Sequence, residues 1–399
     1  MDNHDNITIQ NFRTEKKGPL QRDYSDLIKI NRGVYGSVYT CMHDVTKTTR
    51  CLKVYSKKML KSSSQAEFKT EMDILKDMDH PNIYKIYEFY EDASNYYLVC
   101  EYLPGGELFD YMTENGRVGE KTAFIIMEQL LNAVNYLHKH NIIHRDIKPE
   151  NIVLLTKNDP THLKVIDFGT CKRFEDGEKF TSRIGSCYYM APEQVMGNYD
   201  NRVDVWACGI ILYVLLVGYP PFNGQHDKEI LNKIVKQSLQ FDDEDWSKIS
   251  KDAKDLIIRM LEKNPNKRIT MDQVFAHSWY KKFSSGSTSP KTKEILSRFT
   301  AFSNNSQLEK VLRVYLIQCF DLKKEVKELD EVFKAMDVNH DGAISKDELK
   351  AACKKLNITI DENRFLNFVD NNGDNEVNYS EFLGALIDFR RTVNKTQLQ

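Results

Sequence analysis

The sequence predicts an α+β fold in two lobes, followed by a small all-α module. Three observations carry this reading. Residues 24–103 favour strands, residues 104–280 favour helices, and the stretch 326–399 holds two near-repeats of a twelve-residue, oxygen-rich loop between helical patterns. A strand-rich part followed by a helix-rich part is the α+β pattern, with a cleft expected between the lobes.

The elements follow in order. Residues 1–23 are polar and aperiodic, and are expected as a mobile tail. Segments 37–40, 50–55, 83–90 and 96–101 are rich in Val, Ile and Tyr and read as strands, with a helix over 65–78 between them. Helical periodicity then dominates, as in 121–138, 203–216 and 253–261. Ser284-Ser285-Gly286-Ser287-Thr288-Ser289-Pro290 is the clearest linker signal. Residues 281–324 hold nine basic and three acidic residues, a net of +6, and residues 325–399 hold ten and fifteen, a net of −5. The expected division is therefore a tail over 1–23, a two-lobed domain over 24–280, a basic junction over 281–325 and an acidic module over 326–399.

Composition excludes some functions. A net charge of −2 in 399 residues gives no reason to propose nucleic acid as a partner. The eight cysteines form no C-x-x-C pair, which suits a reducing compartment, and a cytoplasmic location is expected. The N-terminus has no apolar signal core, and Asp2 stands where myristoylation needs glycine. The apolar run 210–218 is too short to span a bilayer. A soluble, monomeric protein with no membrane anchor is expected.

The most informative string is His144-Arg145-Asp146-Ile147-Lys148-Pro149-Glu150-Asn151, followed sixteen residues later by Asp167-Phe168-Gly169 and then by Ala191-Pro192-Glu193. Phosphoryl transfer is mostly alignment plus cations, because the transferred group carries spread negative charge. Asp146 is the candidate to orient or accept a hydroxyl proton, and Lys148 the cation beside the transferring phosphate. Asn151 and Asp167 offer the hard oxygens that Mg²⁺ prefers. Lys53 closes an apolar strand and suits the α/β-phosphates, with Glu71 on the next helix to hold it. Asn31-Arg32-Gly33-Val34-Tyr35-Gly36-Ser37-Val38 is the expected phosphate-covering loop, where bare amides must approach closely. Asn31 replaces its first glycine. Asparagine tolerates positive φ better than other side chains, so a working loop with weaker nucleotide affinity is expected.

These residues resemble the eukaryotic protein kinase superfamily over about residues 24–280. The resemblance implies a bilobal protein kinase fold that uses ATP and Mg²⁺. It implies that Glu101 and Leu103 offer backbone groups to adenine, and that Val38, Cys51 and Val153 sandwich the ring. Cys100 falls at or beside the position guarding a rear pocket. Glu193 would pair with Arg268, and Asp204 would anchor the loop of Asp146. Lys148 is typical of serine/threonine kinases. Glu107, at the edge of the nucleotide site, and Glu150 match positions that receive a substrate arginine, so protein substrates with Ser or Thr near basic residues are expected. Ser182 falls where many kinases are phosphorylated, with Arg145 as receiving cation, whereas Ser186 reads as a structural hydroxyl near Asp146.

In the acidic module, Asp337, Asn339, Asp341, the Ala343 carbonyl, Ser345 and Glu348 fit positions 1, 3, 5, 7, 9 and 12 of an EF-hand loop for Ca²⁺. Gly342 gives the turn at position 6, and Ile344 takes the apolar pairing position. Asp370, Asn372, Asp374, the Glu376 carbonyl, Asn378 and Glu381 repeat the pattern, but Asn375 stands at position 6 and must take a left-handed turn at some cost. Kinase, basic junction and EF-hands together resemble the calcium-dependent protein kinases of plants and protists. Members of that family usually carry four EF-hands, and only two loops are legible here.

Between the two lies a candidate transmitter. Leu308, Val311, Leu312, Tyr315, Leu316, Cys319 and Phe320 recur at helical spacing, with Lys310 and Arg313 among them. One reading is a helix packed permanently on its neighbours. The other is an autoinhibitory segment that blocks the substrate cleft until calcium opens an acidic groove for it. The leading expectation is a calcium-activated serine/threonine kinase. The alternatives are a catalytically weak scaffold that reports calcium by shape, for which only Asn31 speaks, and a calcium buffer or adaptor.

Overall fold

The computed structural model describes residue 13 and residues 15–32, 36–60, 62–284, 295, 312–313, 315–317, 323–356, 365–366 and 369–387. Two compact units emerge: residues 1–102 together with 287–399, and residues 103–286.

The first unit is built on a six-stranded sheet in the order β1-β5-β6-β4-β3-β2. Its strands are β1 (Glu15–Lys17), β2 (Tyr24–Arg32), β3 (Gly36–His43), β4 (Thr48–Ser56), β5 (Ile86–Glu91) and β6 (Asn95–Glu101). The central strands carry Leu52, Leu98 and Val99, all fully buried. Helix α1 (Ser62–Asp77) turns Phe68, Met72, Ile74 and Leu75 inward. Phe68 stacks on Tyr96 of β6 at 4.8 Å and tilts against Tyr55 of β4 at 4.7 Å, which fastens the helix to the sheet.

Part of the expected tail is structured. Strand β1 pairs in parallel with the outer edge of β5, and an open edge offers unpaired N–H and C=O groups to such a segment. Arg13 is buried, and its guanidinium donates to the carbonyls of Leu75 at 3.0 Å and Met78 at 2.6 Å, and to that of Lys76. A cation is favourable at a helix C-terminus, where the last carbonyls lack partners. The sequence missed this because the signal is one arginine more than 60 residues from the carbonyls it meets.

The same unit holds the acidic module. Its helices among the described residues include Lys323–Met336, Lys346–Leu356 and Tyr379–Leu386, and β11 (Ala343–Ser345) pairs antiparallel with β12 (Glu376–Asn378) through Ile344 opposite Val377. One apolar cluster joins Val332, Phe333, Leu349, Leu383 and Phe382 to Leu316 and Ile317 of the junction. Leu308, Lys310, Val311, Cys319 and Phe320 lie outside the described residues.

The second unit is mostly helical: α2 (Leu108–Asn115), α3 (Glu120–Lys139), α4 (Pro192–Met196), α5 (Arg202–Val217), α6 (Asp227–Lys236), α7 (Asp243–Trp246), α8 (Lys251–Met260), α9 (Met271–Ala276) and α10 (Ser278–Ser284). Helix α5 is apolar on all sides and almost wholly buried, as the centre of a helical unit requires. It contains most of the apolar run 210–218, and no helix among the described residues is long and apolar enough to cross a membrane. Two ladders, β7 (Ile142–Ile143) with β10 (Lys172–Arg173) and β8 (Ile152–Thr156) with β9 (Asp159–Val165), hold the motif loops.

Candidate active site and calcium loops

The β8–β9 hairpin fixes the register of the second unit's chemistry. Ile152 pairs with Val165, and the Ile166 N–H donates to the Asn151 carbonyl at 2.9 Å. Asn151 and Asp167 are thereby brought within one residue of cross-strand partnership. The Asn151 side-chain nitrogen donates to the Asp146 carbonyl at 2.9 Å and to its Oδ2 at 3.2 Å. Its side-chain oxygen is then the atom left to face a cation. Asp167 adopts a left-handed backbone, φ 63°, and is exposed, so its carboxylate reaches solvent. An amide oxygen and an exposed carboxylate flanking two paired strands fit the donor set that Mg²⁺ uses.

Asp146 sits in a closed ring of bonds. Lys148 Nζ lies 2.9 Å from its Oδ2, while Ser186 donates its N–H (2.9 Å) and its hydroxyl (3.1 Å) to Oδ1. Lys148 Nζ also donates to Ser186 Oγ at 2.9 Å. The loop is anchored beneath by Asp204 of α5, which is 1% exposed. Its two oxygens accept the N–H groups of His144 and Arg145 at 2.9 Å each, and His138 Nε2 lies 2.9 Å from Oδ2. Burial would raise the Asp204 pKa, but His138 and His144, the latter also through its N–H, hold it below the ordinary range. The ring of Phe168 meets His144 edge-on at 5.3 Å, tying the Asp-Phe-Gly turn to the same loop. Arg268 and Glu193 form a buried bidentate pair, one arm at 2.9 Å.

The two carboxylates expected to read a substrate arginine, Glu107 and Glu150, both lie in this unit. The Gly105-Gly106 turn is zipped to β8, with the Gly105 N–H on the Leu154 carbonyl at 3.1 Å and Glu107 bridged to Val153. Burial, then the charges of Asp110 and Glu150, push the Glu107 carboxyl above its usual range. Glu150 Oε2 is buried with no hydrogen-bond partner among the described residues. Arg145 is buried and donates through Nε to the Thr170 carbonyl at 2.5 Å. Ser182 is exposed, and its carbonyl accepts the Tyr199 hydroxyl at 2.8 Å.

Most of the remaining candidates lie in the first unit. The β3–β4–β6 registers set Val38 opposite Lys53 and Cys51 opposite Cys100. Lys53 Nζ lies 5.1 Å from the centre of the Tyr84 ring, and Glu71 is buried on α1. The Glu101 N–H is taken by the Lys85 carbonyl at 2.9 Å. Leu103, Glu107 and Val153 belong to the other unit. Gly33 lies outside the described residues. Asn31 sits in β2 opposite Val38 and takes no positive φ, so the tolerance invoked for it is not used. Gly36 has a structural reason of its own, since a Cβ there would stand 1.7 Å from the Val54 carbonyl oxygen.

The two twelve-residue loops share a plan. In the first, Asp337 accepts the N–H groups of Asp341 (3.1 Å) and Gly342 (3.0 Å), and Glu348 accepts those of Val338, Asn339 and Ser345. In the second, Asp370 accepts those of Gly373 and Asn375, and Glu381 those of Asn371 and Asn378. Asn375 takes φ 65° at position 6, the left-handed turn expected of it. The structure adds what the sequence reading missed: position 4 is left-handed too, filled by His340 (58°) in the first loop and Gly373 (78°) in the second. Burial, and the charge of Asp341, push the Asp337 carboxyl up to about 8, and burial pushes Glu381 up to about 8. Among the described residues no three acidic, His or Cys side chains already converge as a cation cage. The donor chemistry nonetheless fits Ca²⁺, with hard oxygens whose mutual repulsion a cation relieves.

The junction residues described are split by exposure. Leu316 and Ile317 are buried in the cluster of the acidic module, while Leu312 and Tyr315 are about half exposed. Ile317, absent from the sequence-derived apolar face, is the more deeply buried of the pair. Arg313 donates to the carbonyls of Gly384 and Ile387 at 3.3 Å each.

Comparison with known proteins identifies two families along the chain. Residues 24–280 match the family described as Protein kinase domain, and residues 326–387 match the EF-hand domain pair. The chain is 38% identical over 368 residues to Calcium-dependent protein kinase 5 of Plasmodium falciparum, covering 91% of this chain and 64% of that protein. It is 36% identical over 400 residues to Calcium-dependent protein kinase 4 of the same organism, covering 95% and 76%. Calcium-dependent protein kinase 3 of Plasmodium berghei is 36% identical over 372 residues, covering 92% and 66%. The chain spans slightly less than two thirds of the length of two of these three relatives.

Proposed function

The chain belongs to the calcium-dependent protein kinase family, and on that premise we propose that it is a calcium-activated serine/threonine kinase. It transfers the γ-phosphoryl of Mg-ATP to a protein hydroxyl, and calcium on its own EF-hands relieves autoinhibition. The observation that carries this reading is the arrangement around Asp146. A carboxylate held by Lys148, Asn151 and Ser186, on a loop pinned by Asp204, is aligned to accept a hydroxyl proton while a cation waits beside it. Mg²⁺, when bound, supplies charge neutralisation for the phosphates. Asn151 and Asp167 would hold it, Lys53 would meet the phosphates, and Glu71 would position Lys53. Val38, Cys51, Cys100, Glu101, Leu103 and Val153 would receive adenine.

The finer reading is a basophilic enzyme. Burial and the neighbouring charges of Asp110 and Glu150 make the Glu107 carboxylate costly to ionise, and Glu150 buries an oxygen that lacks a donor among the described residues. An arginine guanidinium upstream of the target hydroxyl answers both needs. Seven cysteines among the described residues are thiols, which suits the cytoplasm. We further propose a monomer that acts on protein substrates, with the junction as its internal partner. The catalytic test is radiolabel transfer from ATP to an arginine-containing peptide by the full chain. Asp146→Ala is expected to abolish it, and unchanged transfer by that variant would overturn the assignment.

A further inference from the structure

Cys51 on β4 and Cys100 on β6 are direct cross-strand partners. Directly opposed residues of an antiparallel pair put their side chains on one face, with Cα atoms about 4.5 or 5.5 Å apart. Both spacings fall inside the range of about 4.4–6.8 Å that a disulfide spans. The Cys100 thiol already points at Cys51, donating to its carbonyl oxygen at 3.6 Å. Both residues are thiols here.

The two sulfurs are not equivalent. Cys100 is 2% exposed, whereas Cys51 is only partly covered. A hydrogen bond from Cys100 holds the Cys51 thiol below its ordinary range against the effect of burial, and the Lys53 cation adds to this. The same contact and its own burial hold Cys100 well above its range. A partly accessible thiol with thiolate character beside a buried, protonated partner is the division of labour between an attacking and a resolving cysteine.

We propose that Cys51 and Cys100 form an oxidisable pair that hydrogen peroxide closes into a disulfide, disabling the nucleotide site. The Cys51 thiolate attacks one peroxide oxygen, the O–O bond breaks, and the leaving hydroxide takes a proton to become water. Cys51 is then a sulfenic acid. The Cys100 sulfur attacks the Cys51 sulfur and gives up its proton, and the S–O bond breaks to release a second water. Two thiols and one peroxide give one disulfide and two waters, with two electrons passing from sulfur to oxygen. A cross-strand disulfide is confined by the sheet, and confined disulfides reduce readily, so the closure is reversible.

The loss of nucleotide binding rests on the proposed placement of both residues in the adenine wall, whereas the cross-link does not. The test treats the full chain with hydrogen peroxide at pH 7.5, blocks remaining thiols and maps peptides without reduction. The expected result is a Cys51–Cys100 linked peptide, reversed by dithiothreitol and formed several-fold more slowly under saturating Mg-ATP. Cys100→Ser is expected to leave Cys51 as a dimedone-reactive sulfenic acid. Cys51 remaining a thiol, or being overoxidised without any link to Cys100, would overturn the proposal. A link that forms equally fast with Mg-ATP keeps the pair and overturns its place in the adenine wall.

Discussion

Ser380 donates its backbone N–H and its hydroxyl to the carboxylate of Asp79, at 2.9 and 2.7 Å, across 301 residues of sequence. Asp79 follows α1, the helix that carries Glu71. Ser380 is the eleventh residue of the second EF-hand loop and precedes Glu381, its twelfth-position carboxylate. A second strap in the same unit runs from Lys85 Nζ to the Ile317 carbonyl of the junction. Two hydrogen bonds to a charged acceptor contribute about 1.5–3 kcal/mol each before entropy is set against them. A double-mutant cycle of Asp79→Ala with Ser380→Ala is therefore expected to show a coupling energy of about 1–2 kcal/mol in denaturant unfolding. Additive single effects would mean that the hydroxyl bond contributes nothing, since the Ser380 N–H bond to Asp79 survives in the alanine variant.

Asp204 anchors the catalytic loop through two backbone donors and His138. Asp204→Ala leaves those donors buried without an acceptor, and each such group costs about 1–3 kcal/mol. The expected loss is about 3–5 kcal/mol of unfolding free energy, the range for removing one partner of a buried charged pair. Phosphoryl transfer by the folded fraction is expected to fall at least tenfold, read from single-turnover kinetics. A stable variant with undiminished transfer contradicts this role.

Asn375 occupies a left-handed position where its side chain costs roughly 1 kcal/mol relative to glycine. Asn375→Gly is expected to tighten calcium binding at the second loop by about two- to fivefold, measured by calorimetry. Asn375→Val, β-branched and strained at φ 65°, is expected to weaken it by more than tenfold. Equal affinities for all three would show that position 6 does not limit the loop.

Asp200 gives a pH dependence of defined sign. Burial raises its pKa, but Arg202, with Nη2 at 2.6 Å, and Lys179, at 2.5 Å, hold it below the ordinary carboxylate range. The folded value lies below the unfolded one, so the stabilisation is complete above the unfolded value of about 3.9 and is lost as pH falls toward the folded value. The stability gap between the protein and Asp200→Asn is expected to be flat above about pH 5 and to narrow below about pH 4. Urea unfolding at stepped pH measures it, and a gap that widens on acidification contradicts it.

Local chemistry was legible in the sequence. Segments rich in Val, Ile and Tyr marked β3 to β6, and the 3.6-residue period marked α3, α5 and α8 to within a few residues. The string from His144 to Asn151 named the residues that the structure gathers around Asp146, because motif loops are fixed by short-range register. Strand β2 escaped notice because most of its residues are exposed, Leu27, Ile28 and Ile30 included, so its apolar positions follow no buried-face alternation. Arg13, Ser380 and Ile317 escaped for a different reason. Each is defined by a partner far along the chain, and no periodicity encodes such a pairing. Asn31 differs in a third way: the sequence reads it as a loop position calling for positive φ, and it lies in β2 opposite Val38 without one.

The central claim is that calcium on residues 337–348 and 370–381 controls transfer at Asp146. Its most direct test is the initial rate of peptide phosphorylation by the full chain, with Mg-ATP, across buffered free calcium. The rate is expected to rise steeply between about 10⁻⁷ and 10⁻⁵ M calcium, the range of sensor loops, and to stay low in Glu348→Gln. Equal rates in calcium and in chelator would contradict it.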